Sequence, residues 1–160
     1  MGEILPANLH FPPPVEAENL EARSKILAVE AGIMNLPGER FVGRDDVELH
    51  HYFANGCYVR AMILPPGVVL TGAIHKHDTI NIVSHGHLYV MTETEGTIEI
   101  LGPNTFIGPK WTKRAIHVVK PTVWHTVHPW DGETTDPEEL RNLLAWETYE
   151  DMESDLEAGL

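Results

Sequence analysis

The stretch CYVRAMILPPGVVLTG (residues 57–72), followed by AIHKHDTINIVSHGHLYVMTETEGTIEILGPNTFIGP (residues 73–109), decides how the chain is read. It consists of short runs rich in Val, Ile, Thr, Tyr and Phe, separated by turn residues at intervals of about ten, which is the pattern of an antiparallel sandwich or barrel. Working outward, the β-rich runs fall at 48–53, 57–64, 68–74, 79–84, 87–92, 97–101, 105–108, 114–119, 122–128 and 143–148. Pro-Pro-Gly (65–67), Glu-Gly (95–96), Gly-Pro-Asn (102–104) and Asp-Gly (131–132) punctuate them. No helical period interrupts the series, which disfavours βαβ units.

Before the strands, Ala22, Ile26, Val29 and Ile33 with Leu20, Leu27, Ala31 and Met34 form two adjacent rows at helical spacing. They predict an amphipathic helix over about 15–34, stopped by Asn35-Leu36-Pro37-Gly38. The expected organisation is a proline-rich arm (1–14), the helix with its stop (15–36), a β-barrel (37–150) and an acidic tail (151–160) that is a frayed helix or disordered.

The chain has 160 residues and a formal charge of -13, from 24 acidic and 11 basic residues. That length supports one domain with a core that needs no structural metal. Residues 131–160 carry 11 of the carboxylates against one base, Arg141, so the body is nearly balanced. An acidic chain of this kind is a poor nucleic-acid binder, which needs a basic face. No apolar run is long enough to span a bilayer, and the N-terminus has no signal-peptide pattern, so neither membrane insertion nor secretion is expected. The single cysteine, Cys57, forbids an internal disulfide and reads as a small apolar side chain.

Seven of the ten histidines fall within residues 75–128. In Gly72-Ala-Ile-His75-Lys-His77-Asp-Thr-Ile-Asn81 the two histidines are two apart, so on a strand both rings and Asn81 share a face. Two neutral imidazoles on one face can hold a divalent ion.

His75-x-His77, followed by Asn81 and Gly86, resembles the first cupin motif, and Gly102-Pro-Asn-Thr-Phe-Ile-Gly-Pro109-Lys-Trp111-Thr-Lys-Arg114 resembles the second. Residues 60–130 carry the match, which implies an all-β, jelly-roll barrel with a metal or small-ligand site at its mouth. The run from Gly108 to Pro129 is also similar to small cupins of unknown function encoded by tailed bacteriophages, which implies a cytoplasmic or virion-associated protein. The usual site of the family is three histidines and one glutamate. Here Asn81 stands at the glutamate position and Arg114 at the second-motif histidine position.

If 114–119 and 122–128 form a hairpin turning near Lys120-Pro121, Arg114 lies opposite Val127 or His128, and His128 can fill the vacant position. The expected metal set is therefore His75, His77 and His128, holding Fe, Mn, Ni or Zn, with no nucleotide cofactor. His125 points to the other face and His117 lies at the opposite end, so they rank after His128. Asn81, Arg114 and His125 are candidate ligand-binding residues, with Arg114 able to grip a small anion bidentately. His85-Gly86-His87 is about a strand's length from His75 and reads as a hairpin end on the far side.

Two readings follow. One is a non-catalytic accessory or virus-associated protein that binds a metal or small ligand, with virion proteins as possible partners. The other is a mononuclear non-haem metal enzyme of three-histidine type, a dioxygenase, isomerase or lyase acting on a small organic acid. Ile74, Ile80 and Ile82 fall on the face opposite His75, His77 and Asn81. Covered by the helix of its own or a neighbouring chain, that face predicts a homo-oligomer.

Overall fold

In the computed structural model the described residues are 20–34 and 47–159. The proline-rich arm, the start of the predicted helix, its stop at 35–38 and residues 39–46 lie outside them. Within them the order is α1 (Leu20–Met34), β1 (Glu48–Ala54), β2 (Cys57–Leu64), β3 (Val69–Thr71), β4 (Ile74–His75), β5 (Thr79–Thr92), β6 (Gly96–Leu101), β7 (Asn104–Gly108), β8 (Arg114–Pro129), α2 (Pro137–Leu144), β9 (Ala145–Trp146) and α3 (Tyr149–Glu157). The chain is mostly antiparallel β, and a jelly roll fits its layout.

Two long strands organise the sheet. β5 and β8 pair antiparallel along their length, from Ile80 opposite Val127 to Thr92 opposite Arg114. One half of this ribbon is flanked by β2 and β7, with β1 outside β2; the other half is flanked by β3 and β6. The ribbon changes register between Val83 and Leu88, and this bulged stretch turns one half against the other. Gly86 makes the turn possible, because its φ is +125° and a Cβ there would lie 2.1 Å from Thr122 Oγ1. Leu64, Val68, Val83, Leu88, Val118 and Trp124, all at most 1% exposed, fill the space between the halves. Each such side chain contributes about 1.5–3 kcal/mol by its burial.

Most strand ranges match the expected runs closely, but the run 68–74 is broken into β3 and β4, the run 143–148 retains only the two-residue β9, and other differences lie in the connections. Residues 114–119 and 122–128 are one 16-residue strand and not a hairpin. Pro121 is accommodated where the ladder skips, between Lys120 opposite His87 and Val123 opposite His85, so its missing N–H breaks no pairing. Arg114 and His128 are therefore at opposite ends of β8, paired with Thr92 and Tyr58. By the same merger, His85-Gly86-His87 is the bend of β5 and not a hairpin end.

The acidic end is helical over most of its length and packed. α3 carries a capping box between Thr148 and Asp151, and Tyr149 and Met152 are buried with Ile74 and Trp146 in a second apolar cluster. Ile74 is thus fully interior, whereas Ile80 is 44% exposed and Ile82 half-buried. α1 does not cover them: Arg23 bonds Glu93 at 3.3 Å and Glu30 bonds Lys113 at 2.9 Å, which places the helix at the Thr92 end of β5. No helix among the described residues is long and apolar enough to cross a membrane.

Candidate ligand cavity

The inward positions of β2 are Tyr58, Arg60, Met62 and Leu64, and those of β8 opposite them are His128, Thr126, Trp124 and Thr122. Alternation thus places one arginine on a face that is otherwise apolar or aromatic. β1 adds His51, and the two-residue β4, paired with β9, swings His75 over the same opening. Together they line a cavity of about 410 Å³ whose outer wall is α2, through Leu140 and Leu144. The helix forms there because Asp136 caps the amides of Glu138 and Glu139 and Pro137 starts the first turn. Its two leucines are held down by Tyr58, with Phe53 and Trp130 beside them.

Four rings shape the interior. His51 and Tyr58 lie 5.8 Å apart and 9° from parallel, and Tyr58 and His128 lie 5.5 Å apart and 19° from parallel. His75 meets His128 edge-on at 5.0 Å and 80°. Burial, reinforced by the positive charge of Arg114, the neighbouring His128 ring and Arg60, holds His75 well below the ordinary histidine range. His128 is pushed down to about 3, by burial first and then by Arg60, His77 and Arg114. Both rings are neutral at physiological pH, so they supply nitrogen donors and acceptors but no charge.

The charge comes from arginine. Arg60 Nε is sealed from solvent with no hydrogen-bond partner, and so are His75 Nδ1 and Arg114 Nη2. Burial lowers the pKa of Arg60, and only Tyr58 acts in the other direction; no carboxylate among the described residues does so. Arg60 as a whole is half-buried, so the cost of this guanidinium is that of the part taken out of water without a carboxylate. Arg114 is buried elsewhere. Its Nη2 occupies the place where a Cβ on Gly108 would sit, its void holds about 10 Å³, and Glu95 partly offsets the burial that lowers its pKa to about 10. It acts on the cavity through its field and does not line it.

The remaining expected site residues divide. His75 and His128 come together, although the hairpin argument that pointed to His128 fails, since Arg114 lies at the far end of β8. His77 does not join them on one face: the strand ends at His75, the chain bends, and His77 is exposed. Among the described residues no group of three His, Cys, Asp or Glu side chains is placed to hold a metal. The residues present also fit a divalent cation poorly, because the lining adds the guanidiniums of Arg60 and Arg141 to the imidazole pair, and the carboxylate it includes, Glu138, joins no group of three possible ligands among the described residues.

Asn81 has no capacity left for a ligand. Its Oδ1 accepts from Trp124 Nε1 at 3.0 Å and Thr126 Oγ1 at 3.2 Å, while its Nδ2 donates to Thr79 O and Thr79 Oγ1, and the residue is 0% exposed. It stands where β5 faces Trp124 and acts as a structural clamp. His125 lies on the outer face, paired with Ala61 and Ile82, away from the cavity. The residues missed were Tyr58, His51 and above all Arg60. The available signal was the parity of β2, in which Arg60 shares a face with Tyr58, Met62 and Leu64.

The fold and site define a small antiparallel β protein with a half-open cavity, lined by rings, Arg60, Glu138 and Arg141, at one end of its sheet. No protein-family model and no curated protein matches the chain. Solved structures with partial similarity include KdgF from Halomonas sp., at 13% identity over 67% of this chain and 96% of that one, with a TM-score of 0.49. A cupin domain from Bordetella pertussis matches at 17% identity over 58% of this chain and 99% of its own, with a TM-score of 0.44. A cupin-2 domain protein from Shewanella frigidimarina gives 12%, 56%, 85% and 0.44.

Proposed function

We propose that the protein is a non-catalytic cupin-type barrel that binds a small organic or inorganic anion in the cavity beside Arg60. One observation carries this reading: Arg60 lines the cavity and has no carboxylate or hydrogen-bond partner among the described residues at its buried Nε–H. An oxyanion in the cavity would neutralise the guanidinium charge, and an arginine–oxyanion pair is among the stronger polar contacts available. The Tyr58 hydroxyl, bonded to His51 Nδ1 at 2.7 Å, belongs to the same lining. The resemblance to phage-encoded cupins makes an accessory role in a virus the biological setting that this proposal adopts.

The test is a thermal-shift series with phosphate, acetate and benzoate on the wild-type chain and on Arg60→Gln. At a hundred times its Kd, a ligand stabilises by about 2.7 kcal/mol, or about 5–10 °C for a chain of this length. The wild type should shift with at least one of these anions and the variant with none. Equal responses in both proteins, or none in either, would remove the proposal. The metal-enzyme alternative is favoured only by the His75–His128 contact, and stoichiometric iron or manganese in untagged protein would revive it.

A further inference from the structure

At the cavity end, strand alternation turns every second residue of β7, β5, β8, β2 and β1 away from the core, onto the outer face of the sheet. The registers line five of those residues up in one row: Ile107 beside Ile80, Ile80 beside Val127, Val127 beside Val59, and Val59 beside Tyr52. All five are aliphatic or aromatic, and Ile107, Ile80 and Tyr52 are between 43% and 56% exposed. The row beside it contains Ile82, His125 and Ala61, and Ile63 with Val123 extends the apolar surface into a third. Among the described residues, the one carboxylate at an outward position of these five strands is Glu48, at the rim, and it bonds His50 at 2.7 Å. The outer face of the other half differs in kind: there Tyr89 lies between Glu99 and His117, and His87 bonds Glu99.

We infer that a second copy of the chain docks on this face, sheet against sheet, to form a closed two-fold dimer. The inference uses the opposite side of the sheet from the cavity and is independent of the anion-binding reading. Charge selects the occupant. The chain carries 24 carboxylates and a net charge of -13, so two copies repel wherever their acidic surfaces meet. This face lets them approach without opposing carboxylates. A cationic partner would instead be drawn to residues 131–160, where 11 of the carboxylates lie. An apolar strip with its backbone already paired asks only for another apolar surface, and a two-fold axis supplies the same strip from the partner. The size is sufficient as well. With strands about 4.8 Å apart and about 3.4 Å per residue, five strands and three rows present about 500 Å² per copy. A pair removes about 1,000 Å² from water, where specific interfaces begin, and the two sheets would stack about 10 Å apart.

The experiment is sedimentation and light scattering of the full chain from micromolar to sub-millimolar concentration. The wild type should reach twice the 17.9 kDa of one chain and no more. Ile80→Lys on β5 and Tyr52→Lys on β1 should each weaken the association by about tenfold or more, because the two-fold axis brings every new charge into the interface twice. Both positions are substantially exposed in the single chain, so a lysine there is tolerated, and circular dichroism checks that each variant is folded. Leu101→Lys, at an exposed position of β6 in the other half, should leave the dimer unchanged. A wild-type monomer at every concentration, or a species larger than the dimer, overturns the proposal. So does a dimer that survives both lysines, or one that Leu101→Lys weakens as much as they do.

Discussion

Lowering the pH should cost this protein stability through His128 in a calculable way. The ring is 4% exposed and titrates near 3 in the folded chain, against a reference of 6.5. Between those values the unfolded chain binds a proton that the folded chain does not, so the contribution is fully present above about 6.5 and is lost as pH falls toward 3. At pH 5 the loss from this one group is about 2 kcal/mol, and at its limit about 5 kcal/mol. His75 acts in the same direction. Other titrating groups contribute too, so the comparison must be differential. His128→Phe keeps a ring against Tyr58 but cannot be protonated. Urea unfolding at pH 7 and pH 5 should show the wild type losing about 2 kcal/mol more than the variant over that interval. Equal losses in the two proteins would refute the claim that His128 is held neutral by burial and by the neighbouring guanidiniums.

Two substitutions test the scaffold around the cavity. Gly86→Ala drives a methyl group into Thr122 and forces a positive φ on a residue with a Cβ, so thermal unfolding should show a loss of more than about 2 kcal/mol, whereas the same change at solvent-facing Gly32 should cost far less. Asn81→Leu orphans the buried Trp124 Nε1–H and Thr126 hydroxyl and should destabilise by about 2–4 kcal/mol in denaturant titration without creating or removing a ligand contact.

Strand positions were legible because a half-buried strand repeats every two residues and its ends carry turn residues. The limits of β1, β2, β6 and β7 all fall within a residue or so of their expected runs. Connectivity was less legible. Lys120-Pro121 has the chemistry of a turn, yet a bulge can host a proline with no ladder partner, and local sequence does not distinguish the two. Helix α2 falls where no element is expected, apart from Leu143 and Leu144 in the expected run 143–148, and α3 falls mostly in the segment expected to be a frayed helix or disordered, although Asp136-Pro137-Glu138-Glu139 and Thr148-x-x-Asp151 are helix-start signals. Each helix is held by a few apolar anchors on an otherwise acidic segment, so composition masked the caps. At the site, His75 follows from the motif, whereas the hairpin that pointed to His128 is not formed and its place beside His75 comes from pairing with β2. The periodicity that carried His77 stops with the strand at His75, and Arg60 is marked in the sequence only by sharing a face of β2 with Tyr58, Met62 and Leu64.

The most direct measurement is the Arg60 Nε–H resonance in a ¹⁵N–¹H spectrum, assigned by its loss in Arg60→Gln and followed while benzoate is added. In the free protein this proton has no acceptor, since the buried Nε lacks a partner. Pairing of a carboxylate with this guanidinium should shift the resonance, with saturation at the same concentration that shifts the His128 and Tyr58 ring signals. A resonance that stays in place while the protein binds benzoate would put the anion elsewhere and contradict the assignment of this cavity.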